Sequence, residues 1–149
     1  MPSRRPDVLA YATDPFAHDV EITGPVTVEL WASSTAVSTD FVAKLIEVFA
    51  DGSSVPLCQG VVRTSADDRS QIAGAIYRYE IDLAATSVVV KAGHRLRLHV
   101  ASSEYPTYEP NPNTGRRITH DAEVTTATQQ VFHDMLHPSH IVLPIVPIR

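Results

Sequence analysis

The stretch DFVAKLIEVFADGSSVPLCQGVVR, residues 40–63, decides the fold class. Its first half fits two patterns, because apolar residues occur at helical spacing and also alternate from Phe41 to Leu45, as on one face of a strand. The Asp51-Gly52 pair is typical of a tight turn between two strands. We therefore predict a β-hairpin here rather than a helix.

Strand-like runs recur on both sides of this hairpin. They are VTVELWASS from Val26, IYRYEIDLA from Ile76, HRLRLHVASS from His94, TQQVFHD from Thr128 and HIVLPIVPI from His140. Pro25 is expected to open its strand, and Pro144 and Pro147 predict an edge strand or one that leaves the sheet. The sequence thus predicts an all-β fold: a jelly-roll β-sandwich of two antiparallel sheets, galactose-binding-like, with few or no helices.

The composition bounds the size of the fold and its partners. The chain has 149 residues, 44% hydrophobic and 19% charged, which suits a single domain over 1–149 with residues 1–7 as a junction or tail. A net charge of -5 without a basic cluster argues against nucleic acid. No apolar run is long enough for a signal peptide or a membrane helix, so a cytoplasmic protein with no membrane partner is expected.

A long irregular stretch, SSEYPTYEPNPNTG at residues 102–115, follows a predicted strand. Long loops in compact domains are usually functional, and the X-Pro pairs here restrict the backbone. Tyr105 and Tyr108 offer aromatic surface, and Asn111 and Asn113 lie in the NPN turn. We expect a stiff, ordered loop that touches a partner.

No residue of the sequence qualifies as a nucleophile. The sequence has no G-x-S-x-G elbow, and the paired serines at strand ends and turns are expected to bond loose backbone groups. Cys58 is alone in a strand-like run, which indicates a small buried hydrophobe. No catalytic residue is therefore assigned.

Three histidines, His133, His137 and His140, come close together in VFHDMLHPSHIVLP. A zinc site on a helix would use the first two, at i and i+4, but Pro138 and the strand after it argue against a continuing helix. We interpret the segment as a turn whose imidazoles hydrogen-bond backbone groups and carboxylates such as Asp134. Neither a metal nor a cofactor is expected.

Aromatic side chains on a jelly-roll sandwich can also bind sugars, and Trp31, Tyr105 and Tyr108 could form such a platform. A single Trp within a strand more often packs at a sheet face or an interface. A stand-alone carbohydrate-binding module is therefore the alternative function.

Five segments occur in order along nearly the whole chain: TGPV, STDFVAKL, AGHRLRLHVASS, NPNTG and HPSHIVLP. Together they resemble the C-terminal jelly-roll domain of the X-Pro dipeptidyl-peptidase and cocaine-esterase (CocE/NonD) family of serine hydrolases. That family also includes glutaryl acylases and α-amino-acid ester hydrolases. The resemblance leaves peptidase, esterase and acylase unseparated.

The resemblance implies that the catalytic Ser, Asp and His lie in a preceding α/β-hydrolase domain with a helical cap. This chain would then be a non-catalytic C-terminal domain that packs against both and is inactive alone. A small ester or amide substrate would bind mainly elsewhere. The resemblance is also compatible with an oligomeric protein. Leu30 and Trp31 match a position that can form a wall of the acyl pocket.

Two further groups of residues take supporting roles under the same resemblance. The 102–115 loop, through Tyr105, Tyr108, Asn111 and Asn113, would be ordered against the other domains. Asp40 and Arg95 lie in resembling motifs and suggest a charged pair, which we interpret as structural, with Asp40 capping a turn and the stem of Arg95 covering a sheet edge.

Overall fold

Nine strands form the regular structure of the residues described in this computed structural model, which are 5–64, 71–116 and 123–147. They are β1 (Leu9–Ala12), β2 (Val20–Ser34), β3 (Asp40–Val48), β4 (Ser54–Arg63), β5 (Tyr77–Val90), β6 (Arg95–Ala101), β7 (Gln129–Phe132), β8 (His140–Val142) and β9 (Ile145–Val146). Within these ranges no helix is long and apolar enough to span a membrane.

The strands form two antiparallel sheets. One has the order β1-β6-β3-β4, and the other has β5-β2-β7, with β8 and β9 pairing further along β2. Alternate residues of each sheet face a common core, whose largest fully buried side chains include Phe41, Ile22, Leu30, Leu45 and Ile81. The predicted all-β sandwich is confirmed.

The 40–63 stretch is the hairpin β3–β4, so choosing strand over helix was correct. The prediction for Pro25 was wrong, because β2 already begins at Val20 and Pro25 lies inside it. The ladder with β5 shifts register between Pro25 and Thr27, and such a bulge tolerates a residue without an N–H. Strand β1 was not predicted.

The two long edges of the sandwich differ. At one edge β4 approaches β5 so closely that a Cβ on Gly60 would lie 1.9 Å from the carbonyl oxygen of Asp82. Only glycine allows this contact, which closes the edge. At the other edge, between β1 and the β7–β8 segment, an apolar cavity of about 360 Å³ remains between the sheets.

The final strands share one edge of β2. β7 pairs with residues 31–34, β8 with 27–29 and β9 with 21–22. Pro144 separates β8 from β9, in agreement with the predicted edge strand. Between β7 and β8 the chain leaves the sheet as the β7–β8 turn, residues 133–139, closed by a bridge from His133 to Pro138.

Candidate functional site

Trp31 lies half-buried near the end of β2. Its neighbours Leu30 and Ala32 point into the core and are almost fully buried, so the Trp31 side chain faces the outer surface of the five-stranded sheet. The indole Nε1 donates to Glu29 Oε1 at 3.3 Å, and Glu29 also accepts from Arg78 at 2.7 Å. The ring is therefore held at a polar edge by its own strand and by β5.

The β7–β8 turn bonds directly to Trp31. The Trp31 backbone N–H donates to Ser139 Oγ at 2.8 Å, where the ladder passes from β7 to β8, and the Ser139 hydroxyl lies 3.4 Å from the Trp31 carbonyl oxygen. The His137 ring contacts the indole edge-on, with centroids 5.3 Å apart, and lies 5.7 Å from the Phe132 ring. One turn thus fixes both the backbone and the side chain of Trp31.

Asp134 organises this turn. Its Oδ1 accepts from the backbone N–H groups of Leu136 at 2.9 Å and His137 at 3.1 Å, and both carboxylate oxygens lie 3.2 Å from His137 Nδ1. The Leu136 N–H, with the His137 side chain, holds the pKa of Asp134 below its usual range. The carboxylate is therefore ionised at neutral pH.

Two of the three histidines make the kind of hydrogen bond that the sequence predicted, one to a carboxylate and one to a backbone carbonyl. His137 contacts Asp134, and His140 Nδ1 lies 2.6 Å from the carbonyl oxygen of Pro138. His133 instead meets the Tyr11 ring edge-on at 6.1 Å, beside the cavity. In the part of the chain that the structure describes, no three His, Cys, Asp or Glu side chains are grouped to hold a metal.

The tip of the same turn is apolar and exposed. Met135 is 97% exposed and Leu136 is 80% exposed. Two adjacent large apolar side chains in water are unfavourable unless something covers them. The turn that contacts Trp31 through His137 thus also carries an exposed apolar tip, Met135 and Leu136.

The 102–115 loop is tied to its own domain through Asp40, which is only 2% exposed. Arg63 donates to both Asp40 oxygens, with Nη2 at 2.7 Å and Nε at 3.0 Å, and Asn111 Nδ2 donates to Oδ1 at 2.9 Å. These bonds raise the pKa of the Arg63 guanidinium. Asp40 therefore pairs with Arg63 and not with Arg95, which lies opposite Val48 at the far end of β3.

The rest of the loop is also bonded internally. Asn111 Oδ1 accepts from the Asn113 N–H at 2.9 Å, and Asn113 Nδ2 donates to the carbonyl of Thr125 at 3.0 Å. Glu104 pairs with Lys44 of β3. Tyr108 is half-buried, whereas Tyr105, which precedes a cis proline, is 76% exposed. The loop is thus bonded to its own domain at several points and presents one largely exposed aromatic ring.

Two of the paired serines bond to their own turns, and the single cysteine is partly buried. Ser34 Oγ accepts from the Ala36 N–H at 3.0 Å, and Ser53 Oγ donates to Asp51 at 2.6 Å, as expected of hydroxyls at strand ends and turns. Burial raises the pKa of the Cys58 thiol, which disfavours the reactive thiolate.

The cavity at the open edge was not foreseen from the sequence. Its walls are aliphatic and come from both sheets, among them Val28, Leu30, Leu45, Leu98 and Leu143. Tyr11 and His133 also line it, and burial raises the pKa of Tyr11. The signal that could have revealed it is the LAYA run of β1, whose pairing with β6 forms one side of the opening.

The chain is similar to a known domain family and to a known esterase. Residues 2–142 match the family described as the X-Pro dipeptidyl-peptidase C-terminal non-catalytic domain. The chain is 45% identical over 149 residues to the cocaine esterase of Rhodococcus sp. (strain MB1 Bresler), covering 95% of this chain and 26% of that protein.

Two solved structures are also similar. An aminopeptidase from the marine sediment archaeon Thaumarchaeota archaeon superimposes with a TM-score of 0.92 at 26% identity, over 97% of this chain and 27% of that one. An α-amino acid ester hydrolase gives a TM-score of 0.87 at 27% identity, over 95% and 26%. The chain thus spans about a quarter of the length of its relatives.

The fold and these matches define a class, the β-sandwich domains that occur within larger hydrolases. The chain belongs to the family of X-Pro dipeptidyl-peptidase C-terminal non-catalytic domains. The resemblance inferred from the five sequence segments is therefore confirmed.

Proposed function

We propose that this chain, over all 149 residues, is the non-catalytic C-terminal domain of a serine hydrolase that cleaves small esters or amides through an acyl-enzyme. We call the longer protein the full-length hydrolase. The relatives' names span aminopeptidase, ester hydrolase and esterase, and all three act on an acyl group bonded to nitrogen or oxygen. The nucleophile would lie in a preceding α/β-hydrolase domain.

We infer that the domain braces the α/β-hydrolase domain by packing against it. The observation that supports this role is the exposed apolar tip on the turn that contacts Trp31. Met135 and Leu136 are exposed here, on a chain that spans only 26% of the cocaine esterase it matches. Burying two such side chains contributes about 1.5–3 kcal/mol each, enough to favour docking. We infer that the α/β-hydrolase domain and its cap cover this tip.

Trp31 would then stand at the junction between the domains. Its ring faces outward next to the apolar tip, as a wall of the acyl pocket requires. Leu30 points the other way, into the sandwich core, and would support that wall from behind. Because His137 already contacts the indole, the ring is less suited to stack on a sugar than a free platform would be.

The 102–115 loop would supply a second contact. Tyr105 is exposed and Tyr108 half-exposed, so both can meet a neighbouring domain. Asn111 and Asn113 hold the loop in shape from inside the sandwich domain. A loop ordered before contact lowers the entropy cost of docking.

The experiment compares the chain with the full-length hydrolase on p-nitrophenyl esters and X-Pro-nitroanilides. The full-length hydrolase should turn over at least one of them, and replacing its elbow serine by alanine should abolish this. The chain alone should turn over none, because it lacks the elbow and its oxyanion hole. Turnover by the purified chain, lost on a single Ser→Ala change within residues 1–149, would overturn the proposal.

A further inference from the structure

The orientation of the Trp31 ring depends on a short series of contacts. The backbone of the β7–β8 turn fixes the Asp134 carboxylate through two N–H groups, and the carboxylate holds His137 Nδ1. His137 in turn meets the indole at 5.3 Å, with the ring planes inclined at 68°. A half-exposed Trp side chain would otherwise sample several rotamers.

We propose that His137, held by Asp134, is the positioning residue that fixes the Trp31 ring and so determines acyl preference. The effect on acyl preference rests on the proposed function, whereas the ring contact belongs to this chain alone. Ser139 fixes the Trp31 backbone but makes no contact with the ring in the bonds described. Glu29 accepts from the indole Nε1, and His137 is the side chain of the β7–β8 turn that meets the ring. The orientation of the ring relative to this turn is therefore assigned to His137.

Glu29 on β2 also contacts the indole, since it accepts from Nε1 at 3.3 Å and is itself held by Arg78 on β5. His137 meets the ring from the β7–β8 turn, so the two contacts come from different segments of the chain. Substitutions of His137 leave the bond to Glu29 in place.

Trp31 is the only tryptophan, so the fluorescence of the chain reports on this contact directly. His137→Ala removes the ring that covers one part of the indole, so it should increase quenching of the emission by acrylamide and shift the emission maximum to longer wavelength. His137→Phe keeps a ring in place and should stay near wild type. The matched control His140→Asn should also stay near wild type.

Asp134→Ala sharpens this test, because it removes the carboxylate that holds His137 Nδ1. Acrylamide quenching should increase in Asp134→Ala in the same direction as in His137→Ala. Unchanged quenching in His137→Ala, or an equal increase in His140→Asn, would overturn the assignment to His137. Thermal unfolding of each variant checks that the fold is intact.

The second measurement uses the full-length hydrolase and the ratio of kcat/KM for p-nitrophenyl benzoate to that for p-nitrophenyl acetate. His137→Ala should shift this ratio about threefold to tenfold in the same direction as Trp31→Ala, while His137→Phe should stay near wild type. If Trp31→Ala shifts the ratio and His137→Ala does not, then His137 does not position the ring for catalysis, while Trp31 still forms a wall of the acyl pocket. If Trp31→Ala changes nothing, the pocket wall and the role of His137 in acyl preference both fail.

Discussion

The 102–115 loop and the β7–β8 turn are both irregular segments outside the sheets, but they differ in what their side chains contact. The loop is bonded to a buried carboxylate, Asp40, through Asn111, and Asp40 is in turn paired with Arg63. The turn is also well bonded by Asp134, yet it exposes Met135 and Leu136. The polar anchors of the loop lie within the domain, although Tyr105 is exposed. The turn instead presents two adjacent large aliphatic side chains to solvent.

This difference shows that the segment with the stronger sequence signal for an interface need not be the segment that presents the apolar surface. A loop rich in proline and tyrosine suggests an interface, but its polar anchors are all within the domain. The turn carries weaker sequence signals, and it holds the apolar pair that a neighbouring domain would bury. The loop should therefore depend on Asp40, and the turn should depend on a second domain.

The largest effect is expected for Asp40→Ala in the chain alone. It leaves Arg63 and Asn111 without their shared acceptor, and breaking such a buried pair costs about 2–3 kcal/mol when one partner is partly exposed. Urea unfolding measures the loss. Proteolysis within the 102–115 loop should accelerate at the same time.

Asp134→Ala is the matched control, because that carboxylate also anchors an irregular segment but is exposed. Its cost should remain well below that of Asp40→Ala. Equal losses for the two variants would mean that the loop is not specially anchored.

The next effect concerns the apolar tip. Met135→Ser with Leu136→Ser should leave the stability of the chain within about 0.5 kcal/mol, since both side chains are already in water. In the full-length hydrolase the same pair should lower the inactivation temperature, because apolar burial between domains is lost. Tyr105→Ala, another exposed residue, should lower it less. A greater effect of Tyr105→Ala would place the main contact at the loop.

Trp31→Ala should lower the stability of the chain by only about 1–2 kcal/mol, since the ring is half-buried on an outer face. In the full-length hydrolase it should change acyl preference more than overall activity. Steady-state kinetics with two acyl groups measures this. If the chain unfolds while the kinetics stay as in wild type, Trp31 is a core residue and not a pocket wall.

The smallest effect is a difference in pH response. Burial, with Arg97 and Lys44 nearby, lowers the pKa of His99, a half-buried residue of β6 that lines a pocket with Glu104. The neutral form is therefore favoured on folding. The stability that it contributes is fully present above about pH 6.5 and is lost as the pH falls from there through the lowered pKa of the folded state. His99→Gln should reduce the decrease in the free energy of unfolding between about pH 7 and about pH 5, measured by urea unfolding.

Asp134 should respond in a different range. Its lowered pKa means that its contribution is present above about pH 4 and is lost only in stronger acid. Asp134→Asn should therefore leave the slope between about pH 7 and about pH 5 unchanged. A change of slope in this range for Asp134→Asn would contradict the assignment of the two groups.

The sandwich could be predicted because alternation and turn residues are local. The Asp-Gly turn at 51–52 and the alternation before it were sufficient to choose a hairpin over a helix. Pro25 was misplaced because a bulge depends on the partner strand and not on local sequence. Strand β1 is only four residues long and exposed, so its pattern carries little signal.

The site was predictable only in part, because its contacts are long-range. Trp31 and the histidine turn were singled out separately, and nothing local places His137 on a ring 106 positions earlier. The pair of Asp40 with Arg63 follows from hairpin register, where the two residues are directly opposite. Choosing Arg95 instead overlooked that register.

Amide hydrogen exchange of the chain, compared with the same residues in the full-length hydrolase, distinguishes the two regions. Amides of the β7–β8 turn around Met135 and Leu136 should gain protection in the full-length hydrolase, because a neighbouring domain covers them there. Those anchored by Asp40 near Asn111 and Asn113 should be protected in both. Equal exchange at the turn in the two proteins, with new protection confined to the 102–115 loop, would mean that the turn is not covered and that the domains meet at the loop.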